Sequence, residues 1–524
     1  MYDYIIVGAG SAGCVLAHRL TEDPDVSVLL LEAGGADSAK ELRIPAAGPA
    51  NIGSGRDWGF QTEPQPHLDN DRINWPRGKV LGGSSSINFM IYMRGNPLDY
   101  NAWRDAGCPG WGYDDVLPLF KRSENQQRGA SEFHGVGGPL DVGDLRTVNP
   151  MTDAFVEAMS ESGIPYNPDF NGSDQRGGGY YQVTQKKGNR ASTATAFLDP
   201  VRKRPNLTVR TDTHVTRVLI EDDTAVGVEF LNGSIPDQIK ASTEVILSAG
   251  SINSPQLLML SGIGPADHLR NLNLPVYADR PGVGQNLHDH LLAPVIYESA
   301  EPVSLTDAGT ARDLVSYFLL GRGRLTSSIA EAGGFIQSKE DAPAPDIQLY
   351  FAPAFYMTRG HDLPDGHGFS GAGKILKPAS RGQITLRSSN PLDHPVLEPN
   401  YLVDDADRRL LIDAVKRTRE VLNAASLDGY RGRELWPGSD VHSDEELGLY
   451  ICKTAETVFH PVGTCRMGSD SDTMAVVDPE LRVIGVDRLR VVDASIMPDI
   501  TRGNTNAPTI MIAERGADLI RQDA

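Results

Sequence analysis

The stretch YDYIIVGAGSAGCVLAHRLTEDPDVSVLLLEAGG, residues 2–35, decides the fold class of this chain. YIIV is a continuous apolar run, which is typical of a strand buried on both faces. Gly8, Gly10 and Gly13 then form a GxGxxG motif, and SAGCVLAHRL carries apolar residues at helical spacing. VSVLLLE indicates a second buried strand that ends at Glu32. This order predicts a βαβ unit of a parallel, dinucleotide-binding sheet.

Each residue of the motif has a separate task in nucleotide binding. Gly8 permits a tight turn, Gly10 lets the backbone approach a pyrophosphate, and Gly13 allows the helix to pack closely on the strand. The helix N-terminus would face the phosphates, and Glu32 would hold ribose hydroxyls. An acidic residue there repels a 2′-phosphate, which disfavours NADP, while the motif alone leaves NAD and FAD open.

Two later segments repeat the strand and helix pattern. In EVILSAGSINSPQLLML, residues 244–260, a strand precedes a helix that we expect to start at Ser254 and Pro255. In LRVVDASIMP, residues 489–498, a strand ends at Asp493, and NAPTIMIAERGADLI, residues 506–520, is typical of a closing helix. The nucleotide-binding sheet is therefore assembled from distant parts of the chain.

A second domain is predicted between these segments. PDIQLYFAPAF, residues 345–355, and RGQITLRSS, residues 381–389, alternate as strands of an antiparallel sheet do. DDADRRLLIDAVKRTREVLNA, residues 404–424, is an amphipathic helix. We expect a discontinuous nucleotide-binding domain and a substrate-binding domain, with approximate boundaries of 1–160, 190–300 and 454–524 for the first and 161–189 and 301–453 for the second.

Composition narrows the class of protein. The chain has 524 residues, 23% charged and 40% hydrophobic, which is ordinary for a globular protein of more than one domain. The net charge of −20 argues against nucleic acid and anionic membrane surfaces as partners, although it leaves a local basic patch and peripheral membrane association open. No apolar run approaches the roughly 18 residues of a membrane span.

The N-terminus and the cysteines indicate a cytoplasmic protein. A strand that starts almost at residue 1 leaves no room for a secretory signal in this chain. Cys14, Cys108, Cys452 and Cys465 are scattered without a CxxC pair, so neither a zinc site nor a disulfide framework is indicated. We expect each cysteine to be a small buried side chain.

Four blocks of sequence together resemble the glucose–methanol–choline (GMC) flavoprotein oxidoreductases. They are the nucleotide motif, GKVLGGSSSINFMIYMRG (78–95), GSINSPQLLMLSGIG (250–264), and the C-terminal pair HPVGTCRMG (460–468) and DASIMPDITRGNTNAPTIMIAERGADLI (493–520). The resemblance spans residue 3 to about residue 521. Within the family, the chain is most similar to bacterial alcohol and polyol enzymes of the sorbose dehydrogenase and hydroxymethylfurfural oxidase type.

The resemblance implies FAD as the cofactor, in an α/β FAD-binding domain of Rossmann type beside an α+β substrate domain with an antiparallel sheet. Some relatives tether the flavin through a histidine, and here that position is Ile87, which cannot form the bond. We therefore expect non-covalent FAD. The motifs and the resemblance imply cofactor contacts at Gly8, Gly10, Ser11, Ala12, Gly13, Glu32, Ala33, Trp58, Val80, Gly82, Gly83, Ser84, Asn88, Met90, Ile91, Val215, Ala249, Gly250, Asp493, Ala494, Thr505, Asn506 and Pro508.

The implied reaction is oxidation of a primary alcohol or polyol by hydride transfer to flavin N5. The hydroxyl proton needs a base, and a histidine suits this task because its pKa lies close to working pH. The resemblance places His460 in this role, with Asn504 as the hydrogen-bonding partner that fixes the substrate oxygen. Asn506 is an alternative partner, although capping the closing helix or contacting the flavin fits it better.

The residues that contact the substrate are harder to predict from the sequence. Glu331, Tyr350, Phe351 and Phe459 are candidate pocket residues, while strand aromatics are more often core. The loop around residues 356–372 is expected near the entrance. His361 and His367 within it, like NLHDH (286–290), lack the spacing of a metal site, and no metal is expected.

The electron acceptor and the reaction class leave alternatives open. Val458, two residues before His460, favours oxygen, whereas the resemblance to sorbose dehydrogenase favours a quinone or dye-like carrier. We expect a dehydrogenase, with an oxidase of aryl or furanic alcohols as the alternative. A hydroxynitrile lyase, which shares this scaffold, is a more distant alternative.

Overall fold

Two seven-stranded sheets organise the chain. The structure is a computed structural model that describes residues 1–356, 359, 361–362 and 364–523. The helices within this part of the chain are α1 (Ser11–Leu20), α2 (Pro97–Asp105), α3 (Tyr113–Ser123), α4 (Pro150–Glu161), α5 (Gly250–Leu260), α6 (Ala266–Asn271), α7 (Ala311–Leu320), α8 (Asp405–Leu422), α9 (Asp444–Thr454) and α10 (Asn506–Asp523).

The strands are mostly short. They are β1 (Tyr2–Val7), β2 (Val28–Leu31), β3 (Phe60–Gln61), β4 (Asn74–Trp75), β5 (Glu124–Gln126), β6 (Leu140–Val142), β7 (Gly177–Tyr180), β8 (Gln185–Lys186), β9 (Asn189–Arg190), β10 (Leu207–Arg210), β11 (His214–Glu221), β12 (Thr224–Asn232), β13 (Ile235–Leu247), β14 (Ile263–Gly264), β15 (Ala278–Asp279), β16 (Leu291–Ser299), β17 (Ala332–Ile336), β18 (Ile347–Ala352), β19 (Gly368–Ile375), β20 (Gln383–Thr385), β21 (Val396–Glu398), β22 (Arg431–Trp436), β23 (Glu456–Thr457) and β24 (Leu489–Val491).

The first sheet is the predicted nucleotide-binding sheet. Its strand order is β10-β2-β1-β13-β12-β11, with β24 paired to β13. The pairs β10–β2, β2–β1, β1–β13 and β13–β24 are parallel, while β11 and β12 add an antiparallel extension. The parallel strands include the N-terminal pair, β13 and β24 from distant parts of the chain, as expected from the sequence, and also β10, which the sequence analysis did not predict. Their carboxyl ends therefore meet at one edge, where such sheets bind ligands.

Gly13 decides how closely α1 approaches β1. A Cβ atom on Gly13 would lie 1.9 Å from the carbonyl oxygen of Gly8. Gly8 itself has φ of +98°, and its Cβ would lie 2.6 Å from the carbonyl oxygen of Ser248, so neither position accepts a side chain. The glycines thus hold α1, β1 and the end of β13 together, as predicted for this motif.

Helix α5 starts four residues earlier than predicted, at Gly250, and contains Pro255 in its second turn. Proline lacks the N–H that would donate to the carbonyl of Ser251. The hydroxyl of Thr464 donates to this carbonyl instead (2.6 Å), so the carbonyl keeps a partner. A contact across 213 residues therefore permits the proline inside the helix, and local sequence signals cannot predict it.

The second sheet is antiparallel, as predicted, with the order β22-β16-β19-β18-β17-β7 and with β23 paired to β16. Helices α4 and α8 pack on one of its faces. Gly371 and Gly373 make room for α8, since a Cβ at Gly373 would lie 2.7 Å from that of Ala414. The expected strand in RGQITL is β20, which pairs only with β21 in a separate ribbon.

The domain boundaries stay a prediction. Strand β16 and helix α4 lie in the segments predicted for the nucleotide-binding domain, but they pair or pack with the second sheet. Strand β16 belongs to the second sheet although it precedes residue 300. All of helix α4 except its last residue precedes residue 161, yet its Met151 and Phe155 are buried in the apolar core under the second sheet. Each element pairs or packs with partners that are remote in the sequence, so sequence position does not reveal its domain.

Other features concern the described residues only. No helix there combines the length and apolarity that a membrane crossing needs. The four cysteines are free thiols; Cys14, Cys108 and Cys465 are buried, and Cys452 is half-buried. In the loop around 356–372, residues 357, 358, 360 and 363 lie outside the described residues.

We predict that Gly13→Ala destabilises the protein by about 1–3 kcal/mol, because the added methyl forces α1 away from β1. Thermal unfolding of the purified variant measures the effect as a lowered Tm. Gly429→Ala is the matched control, since nothing lies within 4 Å of its Cβ position. Equal Tm values for the two variants would contradict the close packing described for α1.

Candidate active site

A deep cavity lies at the carboxyl ends of the parallel strands and reaches the second sheet. The first sheet contributes Val7 and Leu31 from strand ends, together with Ser248 and Asp493 that follow them. The second sheet contributes Leu292, Tyr350, Ala352, Ser370 and Ala372, which come from β16, β18 and β19. The cavity is therefore bounded by both domains.

Most of the residues predicted to contact the cofactor line this cavity. They are Gly8, Gly10, Ser11, Ala12, Glu32, Ala33, Trp58, Gly83, Ser84, Asn88, Met90, Ile91, Val215, Ala249, Gly250, Asp493, Ala494, Thr505 and Asn506. Four others do not line it: Gly13 packs on Gly8, Val80 is buried in a small apolar cluster, Gly82 forms a left-handed turn, and Pro508 lies in the first turn of α10. These four residues lie behind the cavity wall and support the residues that form it.

The end of the cavity next to β2 has the features that a dinucleotide needs. Oε2 of Glu32 accepts from the N–H of Ala9 (2.9 Å) and Oε1 accepts from the N–H of Gly34 (2.8 Å). Burial raises the pKa of this carboxyl to about 7, and the two amide donors oppose the rise. The carboxylate is thus held at the end of β2, where ribose hydroxyls are bound in such folds.

The middle of the cavity is a glycine cradle that fits a pyrophosphate. A Cβ on Gly83 would lie 2.7 Å from Cα of Gly10, so two backbone segments meet here without side chains. Gly250, with φ of +84°, has nothing within 4 Å of its Cβ position. Backbone amides in such an open, side-chain-free bend are the usual ligands of phosphate groups. These observations fit FAD in an extended conformation along the cavity.

Asp493 fixes the junction between β24, β13 and α5. Its Oδ2 accepts from the N–H of Gly250 (2.9 Å) and from the hydroxyl of Ser254 (2.6 Å), and Oδ1 accepts from the N–H of Ser495 (2.8 Å). Burial raises the pKa of Asp493, and these hydrogen bonds oppose the rise. The carboxylate therefore positions the turns at this edge of the sheet while also facing the cavity.

The far end of the cavity contains His460 on a constrained turn. Phe459 has φ of +64°, a conformation that a bulky residue rarely adopts. Oδ1 of Asp289 accepts from the backbone N–H of His460 (2.7 Å), while its Oδ2 accepts from the hydroxyls of Tyr401 and Thr457. Arg77 donates to the carbonyl of Phe459. The turn is thus fixed by a buried carboxylate and a guanidinium.

The hydrogen bonds of His290 determine which nitrogen of His460 carries the proton. Nε2 of His290 lies 3.0 Å from the carbonyl oxygen of Leu376, which can only accept, so this nitrogen carries a proton. Burial, then Lys374 and His460, lowers the pKa of His290 well below its usual value, so the ring is neutral and its Nδ1 is an acceptor. Nδ1 of His460 lies 3.0 Å away and therefore donates. Nε2 of His460 is left unprotonated.

The free Nε2 of His460 faces Asn504. The two side chains meet at 3.2 Å between Nε2 of His460 and Nδ2 of Asn504, which suits an amide N–H donating to a lone pair. The hydroxyl of Tyr350 donates to Oδ1 of Asn504 at 3.4 Å. The sequence prediction of a His–Asn pair is therefore realised as a direct contact, with Tyr350 behind the asparagine.

Burial and two neighbouring basic side chains keep His460 neutral. The pKa of His460 lies well below its usual value, first because the ring is buried and then because Lys374 and Arg77 repel a second positive charge. Lys374 is itself fully buried on β19, with its Nζ 3.5 Å from Nδ1 of His290. A neutral imidazole with a free nitrogen is the form that can accept a proton.

Two of the predicted pocket residues do not line the cavity. The side chain of Glu331 accepts from the N–H of Asn149 (3.0 Å) and from the hydroxyls of Thr152 and Ser327, away from the cavity wall. Phe351 stacks on Phe155 in the core, with ring centroids 4.5 Å apart. Because adjacent strand residues face opposite sides of a sheet, Tyr350 and Phe351 cannot both face the cavity. Tyr350 and Phe459 do line it.

The sequence analysis missed the residues that support His460. Asp289 and His290 belong to NLHDH, which the sequence analysis considered only as a metal site, and Lys374 belongs to a strand that it did not single out. Two histidines and an aspartate within five residues were the available signal. Within the described part of the chain, no group of three His, Cys, Asp or Glu side chains could hold a metal ion, and His288, His290 and Asp289 instead form separate hydrogen bonds.

Comparison with known proteins identifies the family. The N-terminal and C-terminal family models described as GMC oxidoreductase match residues 2–292 and 378–513. The chain is a GMC oxidoreductase. It is therefore a flavoprotein of the FAD-binding class that acts on CH–OH groups, and the fold and the coarse chemistry implied by its motifs are confirmed.

Several relatives are similar over nearly the whole chain. An alcohol dehydrogenase [acceptor] of Pseudomonas putida is 47% identical over 99% of this chain and 96% of its own length. An oxygen-dependent choline dehydrogenase of Burkholderia cenocepacia is 48% identical over 99% of this chain and 93% of its own length. The crystal structure of a pyridoxine 4-oxidase from Mesorbium loti superposes with a TM-score of 0.91 at 35% identity, covering 99% of each chain. These relatives oxidise different alcohols, so the substrate must be inferred from the cavity.

We predict that Lys374→Met moves the acidic limb of the pH–rate profile upward by about one pH unit. The rate falls where His460 becomes protonated, and acid favours the ammonium form of Lys374 that opposes this protonation. Removing that charge raises the pKa of His460, so activity is lost at a higher pH. Rates of flavin reduction measured across the acidic range test the shift, with the exposed Lys339→Met as control. An unchanged limb would contradict the electrostatic role of Lys374.

Proposed function

We propose that this enzyme oxidises neutral primary alcohols with an apolar body to aldehydes, using non-covalent FAD, with His460 as the general base. The observation that carries the proposal is the contact between Nε2 of His460 and Nδ2 of Asn504 at the apolar end of the cavity. Bound FAD supplies the acceptor for the hydride that leaves the carbinol carbon.

His460 and Asn504 have complementary tasks toward the substrate hydroxyl. The lone pair on Nε2 of His460, which accepts from Asn504 in the structure, accepts the hydroxyl proton once the substrate oxygen lies between the two side chains. Nδ2 of Asn504 donates a hydrogen bond to the same oxygen as negative charge develops on it. The proton on Nδ1 of His460 stays hydrogen-bonded to Nδ1 of His290. The imidazolium that forms therefore keeps a buried acceptor for its second N–H. The fixed turn at Phe459 holds this geometry before the substrate arrives.

The walls near His460 favour an apolar, uncharged substrate. Tyr350, Tyr356, Phe89, Ile91 and Leu292 line the cavity. Of these, Tyr350, Ile91 and Leu292 belong to an apolar cluster against which Val458, two residues before His460, also packs. The acidic side chains among the described lining residues are Glu32 and Asp493, and both are engaged by the hydrogen bonds of the nucleotide-binding edge.

Charge also argues against a quaternary ammonium substrate. Arg77 lines the cavity, and Nζ of Lys374 lies 5.4 Å from the ring centroid of Tyr350. The guanidinium of Arg77 would repel a fixed cation here, and the described lining residues include no carboxylate near His460 that would offset this repulsion. A polyol finds few hydrogen-bonding partners on these walls. We therefore favour an alkyl or aryl primary alcohol over choline and over the polyol included in the sequence prediction.

Two further points concern the flavin. Ile87 lines the cavity where a tethering histidine would stand, and its side chain has no atom that could bond to a flavin, which supports non-covalent binding. Val458 also lines the cavity and supports access by an apolar acceptor such as oxygen or a quinone. We keep a dehydrogenase as the proposal and an oxidase as the alternative; comparing peroxide release with dye reduction, using one alcohol, separates them.

We predict that anaerobic mixing of the FAD-loaded enzyme with 1-hexanol or benzyl alcohol bleaches the flavin spectrum, whereas choline and sorbitol bleach it far more slowly. Each alcohol is added at equal concentration, and the rate of bleaching is compared. Fast bleaching by choline alone would contradict the proposed substrate class. No bleaching by any alcohol, with cleavage of a hydroxynitrile, would indicate a lyase.

The same assay tests the base. In His460→Ala, bleaching should slow by about 10²-fold or more, the scale of general base catalysis, while the flavin stays bound. Asn504→Ala should also slow it, and His67→Ala, which replaces an exposed histidine, is the control. An unchanged rate in His460→Ala would show that another group takes the proton.

A further inference from the structure

Helix α7 presents an apolar face to the outside of the protein. Among the described residues, sixteen large apolar side chains are exposed, and five of them lie between positions 314 and 320. We call these five side chains the α7 face: Leu314, Val315, Phe318, Leu319 and Leu320, with exposed fractions of 41%, 57%, 61%, 77% and 66%. Contiguous exposed apolar patches on a protein mark interaction sites, whereas single exposed residues do not.

Helix α7 turns polar side chains toward the protein and apolar side chains outward, which is the reverse of the usual arrangement. Its buried side chains are Asp313 and Tyr317, which point toward the protein. Asp313 accepts from Nη2 of Arg324 (2.7 Å), and the hydroxyl of Tyr317 donates to Oδ1 of Asn189 (2.8 Å). A helix on a water-facing surface normally turns its apolar side inward. Here polar contacts anchor the helix, and the apolar side is left for a partner.

Basic residues lie on the helix and beside its C-terminal end, although the whole chain carries a net charge of −20. Arg312 lies on the helix, and Arg322 follows its C-terminal end; both are exposed. Nε of Arg146 donates to the carbonyl of Gly321 (3.2 Å), and the carbonyl of Lys187 lies against Gly321. The acidic residues of this segment, Asp307 and Asp313, pair with Arg324. The surface beside the α7 face therefore carries a local positive charge, and we call these basic residues its basic rim.

The α7 face connects to the rim of the active-site cavity. Helix α7 packs on the helical turn Arg324–Thr326, which packs on the helical turn Pro45–Asn51. The next residue, Ile52, lines the cavity and is 36% exposed. The apolar surface and the cavity rim are thus joined by two short packed segments.

We propose that the α7 face binds the surface of a membrane that contains anionic lipid. An apolar helix face with basic residues at its edge inserts its side chains below the headgroups, while the cations pair with lipid phosphates. A second copy of this chain fits less well, because a like-charged basic rim would oppose its twin. One helix face also falls short of the roughly 20 to 30 residues a side that a standard protein interface uses. The overall negative charge, which argued against such a partner in the sequence, is outweighed by this local distribution.

We expect the FAD-loaded enzyme to co-sediment with vesicles of phosphatidylcholine and phosphatidylglycerol, and to bind vesicles of phosphatidylcholine alone more weakly. Leu319→Glu should weaken binding to the anionic vesicles about tenfold or more, because a carboxylate cannot enter the apolar layer. Leu449→Glu is the matched control, since Leu449 is 62% exposed on α9, and its binding should equal that of the unaltered enzyme.

Three outcomes would overturn the proposal: no binding to anionic vesicles, equal binding by Leu319→Glu, or a dimer in light scattering that Leu319→Glu disrupts without vesicle binding. The last would assign the face to self-association. Unfolding temperature and flavin content of both variants establish that they are folded. Because the assay measures lipid binding and no turnover, its result is independent of the proposed alcohol oxidation.

Discussion

The hydrogen bond between the Nδ1 atoms of His290 and His460 is the interaction on which the active site depends. His290 immediately precedes β16 of the second sheet, and its other nitrogen is tied to the carbonyl that follows β19. The turn that carries His460 is bound to the same segment through the backbone, with β23 paired to β16 and Val462 hydrogen-bonded to His288. A neutral His290 can only accept from His460, and this single constraint leaves Nε2 of His460 free toward the cavity. The protonation of the proposed base is thus a consequence of the second sheet's geometry.

Burial contributes to the chemistry as much as hydrogen bonding does. His460 is 8% exposed and lies near the basic side chains of Lys374 and Arg77, so its charged form is disfavoured before substrate binds. Burying Asp289, Lys374 and two histidines together costs free energy, which their mutual hydrogen bonds partly offset. The strained Phe459 is held by Asp289 and Arg77 at the same place. Stability is therefore reduced at the place where the proposed base lies neutral next to Asn504.

The sequence predicts the parts of this molecule whose signals are local. The βαβ unit is specified by three glycines and two apolar runs, and the long helix α8 by its periodicity. His460 and Asn504 were predicted as a pair from the family resemblance, and the structure brings their side chains into contact. The start of α5 was mispredicted because Thr464, far along the chain, satisfies the carbonyl that Pro255 leaves unpaired. Phe351 was misassigned because only the sheet shows which side of β18 faces the cavity, and Glu331 because its hydrogen-bond partners Asn149 and Thr152 are remote in the sequence. His290 was missed because its role depends on a partner 170 residues away.

The protonation of His460 is the central claim, and nitrogen NMR of histidine-labelled enzyme at neutral pH tests it most directly. The account predicts that the His460 signals, assigned by comparison with His460→Gln, show a proton on Nδ1 and an unprotonated Nε2. In His290→Phe, which removes the acceptor, this preference for one tautomer should be lost. A proton on Nε2 of His460 in the unaltered enzyme, or a doubly protonated ring, would contradict the account.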